Sequence, residues 1–143
     1  MREPLVFLGP GGAWDLNIFE TTGDALSCAE PPDVLAGEYG DHGWDADGKP
    51  VVLVVKSSPK RPGLIGKLLG LLQPALEVEV QELDLPLEPG RVRKALIGRL
   101  AGLEPDLVAV AESMGLDDLI ALVCRAIQDR IDCIRNGEYP GRA

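Results

Sequence analysis

Asp47-Gly48-Lys49-Pro50 runs straight into Val51-Val52-Leu53-Val54-Val55, and this join of a turn dipeptide to an unbroken apolar stretch constrains the fold more than any other segment. Asp-Gly between strand-like segments signals a hairpin, because glycine accepts the positive φ that such a turn requires. The arm before the turn, Glu38 to Asp45, is polar and rich in glycine, whereas the arm after it is apolar throughout. The second arm is therefore expected inside a sheet and the first nearer an edge. Further along, Leu76 to Gln81 alternates with period two, which puts Leu76, Val78 and Val80 on one side of a strand and Glu77 and Glu79 on the other. One face of the sheet is expected to meet solvent.

The remaining elements read from local signals. Leu5–Leu8 is a short strand ended by Gly9-Pro10-Gly11-Gly12, and Leu16 to Phe19 is a second. Thr21-Thr22 supplies a hydroxyl cap for a short helix through Ala25, Leu26, Cys28 and Ala29, stopped by Pro31-Pro32. Leu64, Ile65, Leu68, Leu69 and Leu72 recur at helical spacing behind the basic segment containing Lys56, Lys60 and Arg61, read as a loop ahead of a core helix rather than a membrane-surface element. Glu88-Pro89-Gly90 opens a helix with Val92, Ala95, Leu96, Leu100 and Leu103 on one side and Arg91, Arg93, Lys94 and Arg99 on the rest. Residues 105–113 fit either a helix or a strand. Leu116, Ile120, Val123, Ile127, Ile131 and Ile134 form the longest stripe, with Asp117 and Asp118 at the start, Arg130 and Arg135 near the end and Gly137 as the stop.

These elements define an α+β class: a small, largely antiparallel sheet with two or three helices packed on one face, in a single domain over residues 1–143. Aromatic residues make up 4% of the chain, so the core must be built from Leu, Val, Ile and Ala. The N-terminal segment is too short and too acidic for a secretory signal, and no apolar run spans a bilayer. Cys28, Cys124 and Cys133 form no CxxC pair, which implies reduced thiols in a cytoplasm, with Cys124 packed on the apolar side of its helix.

Charge is distributed unevenly. Residues 1–50 hold ten Asp and Glu against two Lys and Arg, a local balance of −8 in a total of −9. Such a field attracts a basic partner and repels nucleic acid. If these side chains gather into one exposed patch, Asp33, Glu38, Asp41, Asp45 and Asp47 would steer the encounter and Tyr39 and Trp44 would supply contact area. Trp14 and Trp44 also fit a place capping the core.

Catalytic motifs are incomplete. Leu8-Gly9-Pro10-Gly11-Gly12-Ala13 lacks the Gly-Lys-Ser/Thr ending of a phosphate loop and the spacing of a dinucleotide loop, and Gly66-Lys67 is followed by leucine. His42, the single histidine, lies among Asp41, Asp45 and Asp47, where it could serve a small ligand-binding or enzymatic domain. A zinc site needs further imidazole or thiolate ligands, and the aspartates lack the order and terminal glutamate of a calcium loop. No metal and no cofactor is implied.

Ile18-Phe19-Glu20, the capped helix through Ala25-Leu26, Pro32-Asp33-Val34-Leu35-Ala36-Gly37-Glu38-Tyr39 and Trp44-Asp45-Ala46-Asp47-Gly48-Lys49 together resemble small acidic bacterial immunity-type proteins found beside polymorphic toxins. The resemblance covers about the first third of the chain. It implies a cytoplasmic, non-enzymatic inhibitor, a monomer or weak homodimer, that binds a basic toxin domain and occludes its active surface. In that reading Asp33, Glu38, Tyr39, Asp45 and Asp47 match the family pattern, and the partner is a protein rather than nucleic acid or membrane.

Overall fold

The computed structural model describes residues 1–58 and 75–137. The helix expected over Leu64–Leu72 lies outside the described residues. Five strands, β1 (Leu5–Leu8), β2 (Leu16–Phe19), β3 (Gly43–Trp44), β4 (Pro50–Ser58) and β5 (Ala75–Glu82), form an antiparallel sheet in the order β2-β1-β3-β4-β5. Helices α1 (Thr22–Cys28) and α2 (Pro31–Leu35) fall between β2 and β3. After β5 come α3 (Pro89–Leu103), a helical turn at Pro105–Leu107, α4 (Val108–Ala111) and α5 (Leu116–Arg135). The class is α+β, and the ambiguous stretch 105–113 is helical.

The hairpin forms where Asp-Gly predicts it, with Gly43 opposite Val51 and Trp44 opposite Pro50. Gly48 is left-handed (φ 84°) and donates its N–H to the Asp45 carbonyl at 3.0 Å. The first arm, however, is not at an edge. β3 pairs with both β1 and β4 and is the middle strand. Its two residues explain why: a Cβ at Gly43 would overlap the Phe7 ring and the Val6 carbonyl, so only glycine lets β1 come this close, and Trp44 is 2% exposed. Polarity of the flanking residues 38–42 masked a two-residue central strand.

Two apolar clusters lie on opposite faces of the sheet. On one, Val6, Leu16 and Trp44 pack with Val92, Leu96 and Leu100 of α3 and Leu119, Ile120 and Val123 of α5. On the other, Leu5, Phe7, Val51 and Leu53 pack with Ala25 and Ala29 around α1 and with Val34 of α2. The second face is thus partly covered, contrary to the expectation of a solvated one. Solvent meets the sheet at β4–β5, where Glu77, Glu79 and Gln81 are exposed and Lys56 pairs with Glu79 at 2.8 Å. Val78 and Val80 of the same strand face inward, as their alternation requires, whereas Leu76, expected on the same side, is 47% exposed near the start of the strand.

Local caps account for the helix boundaries. Thr21 accepts the Asp24 N–H while Asp24 accepts the Thr21 N–H, a reciprocal capping box at α1. Pro31 and Pro32 do not merely stop α1: they occupy the first turn of α2, where a missing N–H costs nothing. At the end of α5, Gly137 is left-handed and donates to the Ile134 carbonyl at 3.1 Å. Among the described residues, the apolar stripe of α5 engages the core as far as Ile127. Leu119, Ile120, Val123 and Ala126 are buried, whereas Ile131 and Ile134 are exposed. The stripe outruns the helix it packs on.

Candidate functional site

The segment from Gly37 to Trp44 carries most of the sequence-predicted site residues, and its path is set by α2. Gly37 N–H donates to Val34 O and Glu38 N–H to Asp33 O, both at 3.1 Å, with Gly37 at φ 78°. This is a Schellman termination, which satisfies the last carbonyls of the helix and reverses the chain. The Asp33 to Tyr39 pattern is therefore a helix stop that delivers Tyr39 to the sheet. Its ring lies half-buried 6.1 Å from Phe7 and 6.3 Å from Phe19. Burial raises the Tyr39 phenol above its usual range, and the nearby Asp33, Cys28, Glu38 and Glu30 raise it further.

Carboxylates therefore surround Tyr39 on the surface. Glu30, Glu38 and Asp41 are exposed and Asp33 half-buried, and none pairs with a base among the described residues. Leu35, 70% exposed, sits in the same short helix.

Asp45 and Asp47 belong elsewhere. Asp45 is 3% exposed, and its carboxylate accepts the backbone N–H groups of Asp47 (2.8 Å), Lys49 (2.9 Å) and Arg2 (3.1 Å), pinning the hairpin turn to the N-terminus. Asp47 accepts from the Arg2 guanidinium at 2.7 Å, and Arg2 reaches on to Asp117 at the start of α5 at 2.9 Å. The Arg2 hydrogen bond holds the Asp47 carboxyl below its usual range. These two acids join the hairpin turn to the N-terminus and, through Arg2, to the start of α5. The predicted single patch is thus divided: Asp33, Glu38 and Tyr39 share one surface, Asp41 lines a hollow with His42 and Arg91, Asp45 and Trp44 are interior, and Asp47 is ion-paired near the start of β1.

His42 does not use the neighbouring aspartates. Its Nε2 lies 2.8 Å from Glu88 Oε1, an acid 46 positions away that sequence reading treated only as a helix opener. Trp44 Nε1–H donates to the same oxygen at 3.3 Å, and Arg91 binds Oε2 at 2.7 Å while its guanidinium lies 5.4 Å from the centre of the Trp44 ring. The hydrogen bond from Arg91, with those from His42 and Trp44, pulls the Glu88 carboxyl down to about 2. Glu88 is placed there by the hairpin: its N–H donates to the Gly48 carbonyl at 2.7 Å, and a Cβ at Gly48 would press against Pro89. The one sequence signal for this hub was the spacing of His42 and Trp44, which puts both side chains on the same side of an extended segment.

The glycine loop has an acid in it. Gly11 N–H donates to Asp15 Oδ2 at 3.2 Å, and a Cβ at Gly9 would overlap Asp15 and the Glu38 carbonyl. A carboxylate sits where a phosphate loop would present amides to an anion, and the glycines serve close packing between residues 9–15 and 37–40. Trp14, 68% exposed, lies against Gly102 and under Arg99 rather than in the core. Cys28, Cys124 and Cys133 are free thiols, and burial raises the Cys124 thiol. Among the described residues no His, Cys, Asp and Glu cluster could hold a metal ion, and no helix is long and apolar enough to cross a membrane.

No protein-family model, curated protein or solved structure matches the chain.

Proposed function

We propose that this protein binds a cationic protein partner through the surface formed by α2 and the segment after it, and that it serves as a cytoplasmic immunity-type inhibitor that blocks a basic toxin domain without turnover. The observation that carries this reading is the set of carboxylates that have no ion pair among the described residues: Glu30, Asp33 and Glu38 around Tyr39, with exposed Asp41 two positions further on. Of the other N-terminal acids, Asp15, Asp24, Asp45 and Asp47 are bound to backbone amides, a cap or Arg2, whereas Glu3 and Glu20 are exposed and lie apart from this set, beside α5. Unpaired surface carboxylates steer association with a basic protein and give charge-assisted hydrogen bonds to its Arg and Lys side chains. Leu35, exposed in the same short helix as Asp33, would supply apolar contact beside this charge.

Co-purification from the native host, with partners identified by mass spectrometry, tests the reading. Wild-type bait is expected to recover a basic protein that is lost with E30K/D33K/E38K/D41K bait. Recovery of no basic protein, or of one that the reversed bait retains, overturns it.

A further inference from the structure

Between the Gly9–Ala13 loop and the first turns of α3 runs a groove made of two adjoining hollows of about 330 and 430 Å³, which share Leu8, Trp44 and Arg91. The larger hollow is lined by Leu8, Ala13, Trp44, Ala95 and Gly98, with Arg91 and Lys94 as its charged residues. Two cations side by side stand out in a chain of net charge −9, with Arg91 already paired to Glu88 and Lys94 left over. Lys94 is exposed and, among the described residues, has no ion pair or hydrogen bond. Arg91 gives Nη1 to Glu88, and its other N–H groups remain for a second acceptor.

We propose that this groove binds a small organic monocarboxylate with a flat, apolar body. Charge complementarity selects an anion: Arg91 and Lys94 lie one helical turn apart on the same wall. The groove already shows carboxylate geometry, because His42, Trp44 and Arg91 converge on that of Glu88. A planar guanidinium binds a carboxylate in two-pronged fashion and stacks on flat rings, which places the acid group at Arg91 and Lys94 and the ring along Leu8, Ala95 and Gly98. Asp41 lines the neighbouring hollow and Glu88 adjoins it, so a single negative charge enters against less repulsion than a phosphate dianion. Nucleic acid, repelled by the molecule as a whole, is excluded on the same ground. Gly98, itself exposed, leaves room opposite Ala13, which a Cβ there would approach to 3.3 Å.

Titration of the full chain with 1-naphthoate, followed by amide and indole NMR, tests the site, with 1-naphthalenemethanol and 1-naphthyl phosphate as comparisons. Saturable shifts are expected at the Trp44 indole N–H and at the amides of residues 91–98, with 1-naphthoate bound more tightly than either comparison. K94E, a change at an exposed position, is expected to weaken naphthoate binding about tenfold or more while the rest of the spectrum is kept. Equal binding of the alcohol, stronger binding of the phosphate, shifts centred on Trp14, undiminished affinity in K94E, or no shift at millimolar naphthoate would each overturn the proposal. Partner capture through the α2 surface is read out separately, so failure of one does not carry to the other.

Discussion

Two groups of acidic residues near β1 act in opposite ways. Near Leu5, Asp45 is buried under three backbone amides and Asp47 is clamped by Arg2, which also reaches Asp117. Toward Leu8 and the segment before β3, Glu38 and Asp41 are exposed and unpaired, with Glu30 and Asp33 nearby around Tyr39. The same residue type, from the same fifty-residue stretch, builds the fold in one group and charges the surface in the other, with exposed Glu3 and Glu20 lying outside both groups. Burial and partners decide the role, and net charge alone does not reveal it.

Substitutions can break this contrast. The largest effect is expected for Asp45→Ala, which strands three amide donors and should cost about 3 kcal/mol in a denaturant melt. A loss below about 0.5 kcal/mol would show that the turn does not depend on its carboxylate. Glu88→Gln should lower stability less than Asp45→Ala and act mainly on the acid side. The folded-state pKa of Glu88 lies near 2, below the 4.5 of the free group, so the unfolded chain binds the proton more tightly. Its contribution is present above about pH 4.5 and is lost as pH falls toward 2; Glu88→Gln should flatten that part of the stability profile. An unchanged acid limb would contradict the hub. Asp47→Asn should show a weaker version of the same acid dependence, since the Arg2 pair is more exposed. The smallest effect on stability is expected for E30K/D33K/E38K/D41K, within about 0.5 kcal/mol per site in thermal or denaturant unfolding.

Much of this architecture was legible in sequence because it is written locally. Thr21 announces a helix cap, Gly137 a helix stop, and Leu76 to Gln81 a half-exposed strand, each within a few residues of the structure it makes. What sequence did not show depends on distant partners. β3 is central because Gly43 admits Phe7, a contact across 36 positions that the polar neighbours of Gly43 conceal. His42 pairs with Glu88 because the Asp45–Lys49 turn docks on the start of α3. Ile131 and Ile134 keep the helical period yet find no opposing surface among the described residues, so periodicity alone overstated the core. The site residues divided in the same manner: the Asp33 to Tyr39 segment acts as a unit through its Schellman turn, while Asp45 and Asp47 were drawn away by Arg2.

The division between held and free carboxylates can be measured without knowing the biological partner, by mapping amide shifts as a lysine decapeptide is titrated into the ¹⁵N-labelled chain. The largest shifts should fall on residues 30–41 and disappear in E30K/D33K/E38K/D41K, leaving residues 45–47 and 88 unmoved. Shifts centred on residues 45–47, or unchanged binding to the reversed variant, would contradict the account.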